Sequence, residues 1–270
     1  MGGSGDESAN GVAVDQTGAA FVAGTTSSTD MPVTPGLQTF PVGHSAGFVI
    51  SMDPVGTIRF LRYLGGDKHI DDYDKPASEG VNAIAVDAQS NIYLAGETIS
   101  FEFPFGLGGA FPFKTDSNAD TRYGFVISLD AQLHPRWGTY WGSPGSYFTS
   151  TYLKAIAVND VGEVYFGGFT YSDNLPFLPP AAAFPSAGFV VKLTNNGQFK
   201  NGGYTMRLGA SVDGIAAFVS NQSAPFEPPG PHQQVYCTGV QYTDGPNDTT
   251  DVFVAKLDEG VSVVKGPPIF

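Results

Sequence analysis

The apolar positions of this chain return in a fixed pattern. Gly11 to Gly24 reads GVAVDQTGAAFVAG, Ala83 to Gly96 reads AIAVDAQSNIYLAG, and Ala155 to Gly168 reads AIAVNDVGEVYFGG. A fourth, stretched copy opens at Gly214 with GIAAFV and finishes at Val235 to Gly239 with VYCTG. The closing glycines are Gly24, Gly96, Gly168 and Gly239, steps of 72, 72 and 71 residues. So regular a period denotes a repeat architecture, in which one copy cannot bury its apolar faces alone.

Each copy divides into four strand-like pieces. The first is Gly11 to Asp15, Ala83 to Asp87, Ala155 to Asn159 and Gly214 to Phe218, and the second ends at the periodic glycine. The linkers between them, at 16–19, 88–91 and 160–163, have the length of tight hairpin loops, with Gly18 and Gly162 available for positive φ. Asp15, Asp87 and Asn159 are expected to cap those turns. In the fourth copy the linker swells to SNQSAPFEPPGPHQQ, Ser220 to Gln234, whose prolines exclude a regular strand. The second piece carries Phe21, Tyr93, Tyr165 and Tyr236, each followed by Val22, Leu94, Phe166 or Cys237. Both faces are therefore apolar, as in a sheet covered on two sides.

The third piece reads AGFVISMD, YGFVISLD, AGFVVKLT and DVFVAKLD, with Phe48, Phe125, Phe189 and Phe253 in register. The fourth follows a turn and is rich in aromatic and β-branched residues. Pro135 within it marks an edge strand or a bulge. Four strands in each of four copies predict an all-β fold, a β-propeller of four blades, each of four antiparallel strands, with long inter-strand loops. The single domain spans 1–270, with blades at about 2–65, 66–142, 143–208 and 209–270. The chain begins on an innermost strand and ends on an outermost one, so closure rests on face packing, on further repeats or on other chains. A four-bladed unit packed onto a partner is the expected arrangement.

The loops after the second strands, at 25–45, 97–122 and 169–186, share the kernels Asp30-Met31-Pro32, Glu102-Phe103-Pro104 and Asn174-Leu175-Pro176. An apolar residue between a polar one and a proline suggests a loop folded back onto its blade. The second loop carries Phe101, Phe103, Phe105, Phe111 and Phe113. Exposed, these would form a partner-binding patch.

Composition narrows the partners. Net charge is −13, from 26 acidic and 13 basic residues, which repels phosphate backbones and argues against nucleic acid. No apolar run approaches the ~20 residues that a membrane helix needs, so direct membrane insertion is not expected. Cys237 is alone and lies in an apolar run, which predicts a buried thiol. No signal peptide is visible, and Met1-Gly2 joins directly onto repeat sequence.

These residues resemble the bacterial SBBP β-propeller repeat. The matching segments are GVAVDQTGAAFVAG, STDMP, GFVISMD and YLGGDK in the first copy and DVFVAKLD in the last. The fourth copy departs, with Phe218 in place of the aspartate and the S-x-D-F-P kernel reduced to Tyr242-Thr243-Asp244. The resemblance implies a secreted or surface-attached bacterial protein and no single activity.

Candidate chemistry is sparse. His44, His69, His134 and His232 occupy unrelated positions in their copies, and neither HExxH nor GxSxG is present. No catalytic residue and no organic cofactor is assigned. Asp67, Asp71, Asp72 and Asp74, in GGDKHIDDYD, are the candidate ligands for a structural calcium, although the full EF-hand spacing is missing. The expected role is a non-catalytic, exported structural or interaction module that binds other protein subunits of an extracellular or cell-surface assembly. A carbohydrate-binding propeller and an enzyme with its site at the propeller mouth are the alternatives.

Overall fold

Among the described residues the chain forms sixteen strands and no helix. The computed structural model describes residues 2–35, 37, 43–66, 77–100, 121–142, 149–172, 175, 187–199, 205–208, 211–220, 232–242, 250–257 and 263–265. The first sheet is β1 (Glu7–Val14), β2 (Ala20–Thr26), β3 (Gly43–Met52) and β4 (Ile58–Leu64). The second is β5 (Ala77–Val86), β6 (Ile92–Thr98), β7 (Tyr123–Leu129) and β8 (Pro135–Trp141). The third is β9 (Thr151–Val158), β10 (Val164–Thr170), β11 (Ala187–Leu193) and β12 (Thr205–Leu208). The fourth is β13 (Ser211–Ser220), β14 (His232–Tyr242), β15 (Thr250–Leu257) and β16 (Val263–Lys265). Within each sheet, strands pair antiparallel in chain order, and a short parallel bridge from Gly43 and Ser45 to Ala77 and Ser78 ties the first sheet to the second.

The sheets pack face to face in sequence. Strand β1 lies against β5, β5 against β9, and β9 against β13. A core cluster straddles each junction. Phe21, Ala23 and Val49 of the first sheet meet Val81, Leu94 and Phe125 of the second. Tyr93, Val126 and Trp141 meet Leu153, Ile156 and Phe166 in the next junction. Tyr165 and Val190 meet Val212, Val235 and Cys237 in the last. Trp141 and Phe166 make an edge-to-face contact with centroids 5.5 Å apart. A fully buried aliphatic or aromatic side chain contributes about 1.5–3 kcal/mol, so most of the cohesion lies between sheets. In the first and third loops the apolar residue of the kernel folds back, and Glu102-Phe103-Pro104 lies outside the described residues. Met31 is buried over Phe48 and Tyr63, and Leu175 packs with Phe166 and Phe189.

The periodic glycines have a steric cause. Each innermost strand carries a β-bulge, at Asn10, Asn82, Lys154 and Asp213, between the paired residues Ala9/Gly11, Val81/Ala83, Leu153/Ala155 and Val212/Gly214. Two residues before each bulge, a carbonyl of the innermost strand presses on the neighbouring strand. A Cβ at Gly24, Gly96, Gly168 or Gly239 would land on the Ser8, Gly80, Tyr152 or Ser211 carbonyl oxygen, well inside contact distance. The bulge also lengthens the strands beyond the sequence expectation. They begin at Glu7, Ala77, Thr151 and Ser211, because one extra residue interrupts the alternation that identifies a strand.

Two other expectations change. In the fourth sheet the register continues through Val219↔Gln233 to Ser220↔His232, so Ser220 and His232 to Gln234 are strand, and not linker. The first hairpin is not covered on both sides, since Val12 and Val14 are exposed. The turn reading holds. Asp15 Oδ1 accepts from the Thr17 and Ala19 amides, and Asp87 Oδ1 from Gln89 and Asn91. Gly18 and Gly162 have φ of 84°, and Ser90 takes the same place at 60°. Pro135 opens the outer edge strand β8, opposite an irregularity at Ser128/Leu129.

Replacing Gly96 by Ala forces a methyl into the Gly80 carbonyl beside the bulge and should cost about 3 kcal/mol or more. Gly56 has φ of 85° with nothing near its Cβ direction, so Gly56→Ala should cost only about 1–2 kcal/mol. Urea denaturation of the two variants measures the difference, and equal losses would contradict the bulge explanation.

Candidate functional site

A bulge re-aims the side chain of its extra residue, and here it does so at the inner edge of every sheet. Asn10 Nδ2 donates to the Val81 carbonyl at 2.8 Å and Asn82 Nδ2 to the Leu153 carbonyl at 2.9 Å. At the third junction Lys154 Nζ donates to Asp213 Oδ1 at 2.8 Å. Burial opposes ionisation of Asp213, but the Lys154 and Ser211 donors outweigh it and hold its carboxyl below the usual range. The residue after each periodic glycine lies beside this row: Thr25, Glu97, Phe169 and Val240. Glu97 accepts from Asn82 at 2.9 Å.

In the third sheet the row turns aromatic. Phe169 and Tyr152 stack with centroids 4.7 Å apart and planes 12° apart. Tyr171 meets Phe169 edge-on at 5.6 Å, and Lys154 Nζ stands 5.0 Å from the Phe169 centroid. Tyr171 and Lys154 are exposed, while Tyr152 and Phe169 are half-buried. The first and second sheets carry Ser8 and Gly80 where the third has Tyr152. The cluster sits where the third long loop leaves β10, so it belongs to the loop-bearing end of the array.

A second constellation recurs at the starts of the innermost strands. Glu7 accepts from Thr26 and Ser28, Glu79 from Thr98 and Ser100, and Thr151 meets Thr170 at 2.8 Å. The environments of the two acids differ. Glu79 is buried beneath the bridge between β3 and β5, and desolvation outweighs its hydroxyl donors and pushes its pKa up to about 7. Glu7, half-buried, is held below its ordinary value chiefly by the Ser28 hydroxyl.

The sequence candidates fall as follows. Asp67, Asp71, Asp72 and Asp74 lie outside the described residues, as do Phe101, Phe103, Phe105, Phe111 and Phe113. His134 is exposed beside Asp130, at 3.2 Å. Cys237 is buried, and desolvation pushes its thiol up to about 11. Among the described residues, no group of three or more His, Cys, Asp or Glu is placed to hold a metal. Likewise, no described helix is long and apolar enough to cross a membrane. Sequence reasoning missed the bulge residues, because their types differ from copy to copy. It also missed Gln233, which accepts from Tyr165 and Lys192 at 3.0 and 2.7 Å. The constant two-residue offset from Asn10 to Val12 and from Asn82 to Ile84 was the available signal.

The class defined by this arrangement is an all-β propeller fold built of four repeated blades. No family model matches the sequence, and no curated protein matches it. The resemblance to the SBBP repeat therefore rests on the quoted motifs. Among solved structures, the chain is similar to a subtype N11 neuraminidase-like protein of A/flat-faced bat/Peru/033/2010, at 8% identity and a TM-score of 0.37. That match covers 93% of this chain and 60% of the other, so this chain spans about 60% of its length.

The raised pKa of Glu79 has a testable sign. Between 4.5 and about 7 the native state holds a proton that the unfolded state has released, so stability falls as pH rises through that window. The full loss is roughly 3 kcal/mol at 1.36 kcal/mol per pH unit. Glu79→Gln removes the charge and should flatten the profile, leaving the variant more stable than the parent at pH 8. Melting curves from pH 4.5 to 8 check this, and parallel profiles for the two proteins would refute it.

Proposed function

We propose that this propeller is a non-catalytic interaction module that binds other protein subunits within an extracellular or cell-surface assembly. The observation that carries the reading is the Tyr152, Phe169 and Tyr171 cluster with Lys154. It concentrates aromatic area and one cation in a single blade, beside a long loop, the composition of a protein-binding hot spot. The polar groups around it are engaged as latches between blades. Amide-to-carbonyl bonds and one salt bridge hold strands together and offer no paired acid and base. The exported setting is what the SBBP resemblance implies.

A carbohydrate-binding role is the second reading, favoured by the same aromatic rings. Sugar stacking needs a free ring face, and here Tyr152 and Phe169 already cover one another. Protein docking can instead use ring edges and the exposed Tyr171.

A photo-crosslinking residue at position 171, used in cells that make the protein, should yield a discrete protein adduct. Tyr152→Ser/Tyr171→Ser should lose the purified partner by at least about tenfold. Its thermal midpoint should change little, because half-exposed rings contribute little to the core. Glycan-array binding abolished by the same pair would favour the sugar reading. Intact partner binding in the double variant would overturn the site.

A further inference from the structure

We infer that the outer face of the fourth sheet docks onto the outer face of the first sheet of a second copy of this chain. The inference rests on the reading of the molecule as an interaction module, and it names a partner.

The two end faces are the unpaired halves of a junction used three times inside the molecule. Val49, Val126 and Val190 occupy one register position on the third strands, and each is fully buried against the following sheet. Val254, the same position in the fourth sheet, is 44% exposed. On the receiving side, Ile84 and Ile156 pack against the preceding sheet, whereas the equivalent Val12 is 65% exposed. Val14 beside it is 58% exposed. Among the described strands, the first and fourth sheets of one molecule share no packing comparable to that of successive sheets. The exposed valines thus carry the register of an established interface.

Size identifies the occupant. Two residues before this repeated valine, each of the first three sheets has a glycine, and the next sheet presses against it. A Cβ at Gly47 would meet Val81 Cγ2 at 2.9 Å, and one at Gly124 would meet Leu153 Cγ at 2.6 Å. At Gly188 it would meet first the Leu208 carbonyl oxygen of its own sheet, and then the Ser211 backbone beside Val212, at 3.0 Å. The fourth sheet has Val252 at this position, 74% exposed. A further sheet built like the internal ones, with Val or Leu facing it, would collide there. The first sheet has a small residue in that receiving position, Ala9, where its siblings have Val81, Leu153 and Val212. The internal pairings are small on the third strand and large on the next inner strand. The end faces reverse this, Val252 against Ala9, and so fit each other. Such a joint is head-to-tail, and it closes a ring or continues as a filament.

The test uses the full chain. At micromolar concentration, native mass measurement should show dimers or larger species. A monomer would overturn the inference. Ala9→Cys/Val252→Cys should form a disulfide between chains on oxidation, and a disulfide within one chain, or none, would overturn it. Ala9→Val should weaken assembly by about tenfold through overpacking against Val252. Adding Val252→Gly should restore assembly, because it recreates the internal Gly–Val pairing. Both positions are exposed, so neither change should alter the melting midpoint of the dilute chain. Failure of rescue with the midpoint unchanged would sink the joint. Partner binding through Tyr171 is read separately, so either proposal can fail alone.

Discussion

The close approach of a carbonyl beside a β-bulge to a glycine is the constraint on which the molecule depends. The bulge on each innermost strand leaves no room for a side chain on the neighbouring strand, so glycine recurs at Gly24, Gly96, Gly168 and Gly239. The same bulge turns Asn10, Asn82 and Lys154 toward the next sheet, where they bind its inner strand. One local irregularity thus sets the sequence period and positions a polar latch. It also keeps the flanking valines and isoleucines in register with the preceding sheet. Apolar burial supplies most of the cohesion, and the bulge decides which faces meet.

Much of this was legible in the sequence, for a physical reason. Faces buried between sheets must be apolar on every strand, so the aromatic column of Phe21, Tyr93 and Tyr165 survives in each copy. Turn geometry demands particular residues, and Asp15, Asp87 and Asn159 do what their type suggests. The bulge residues were not legible, because a side chain aimed at the inner edge need only hydrogen-bond. Asparagine, lysine and aspartate all suffice. The extension of β13 and β14 was hidden for another reason. Strand pairing there continues through Gln233 and Gln234, which have no apolar signature.

The copies diverge where they meet solvent. Glu7 and Glu79 have the same hydroxyl partners in sequence register, yet one is only half-buried and the other is sealed beneath a neighbouring sheet. Context, and not residue type, therefore sets the ionisation of a repeated acid. The aromatic cluster follows the same logic. Tyr152 and Phe169 replace small or polar residues of the earlier copies without disturbing the core, since their positions lie at its rim. A repeat scaffold can acquire a distinct surface one blade at a time, because the faces that hold it together are elsewhere.

The latches also impose an order on assembly. Asn10 reaches an acceptor 71 residues downstream, and Asn82 does the same. A growing chain presents each donor long before its carbonyl exists, and water must satisfy the amide until then. The first two blades therefore complete their latches one repeat late, when the following inner strand arrives to receive them. The nascent protein carries a single wet front that travels from sheet to sheet, and the region exposed to misassociation at any moment is about one blade wide.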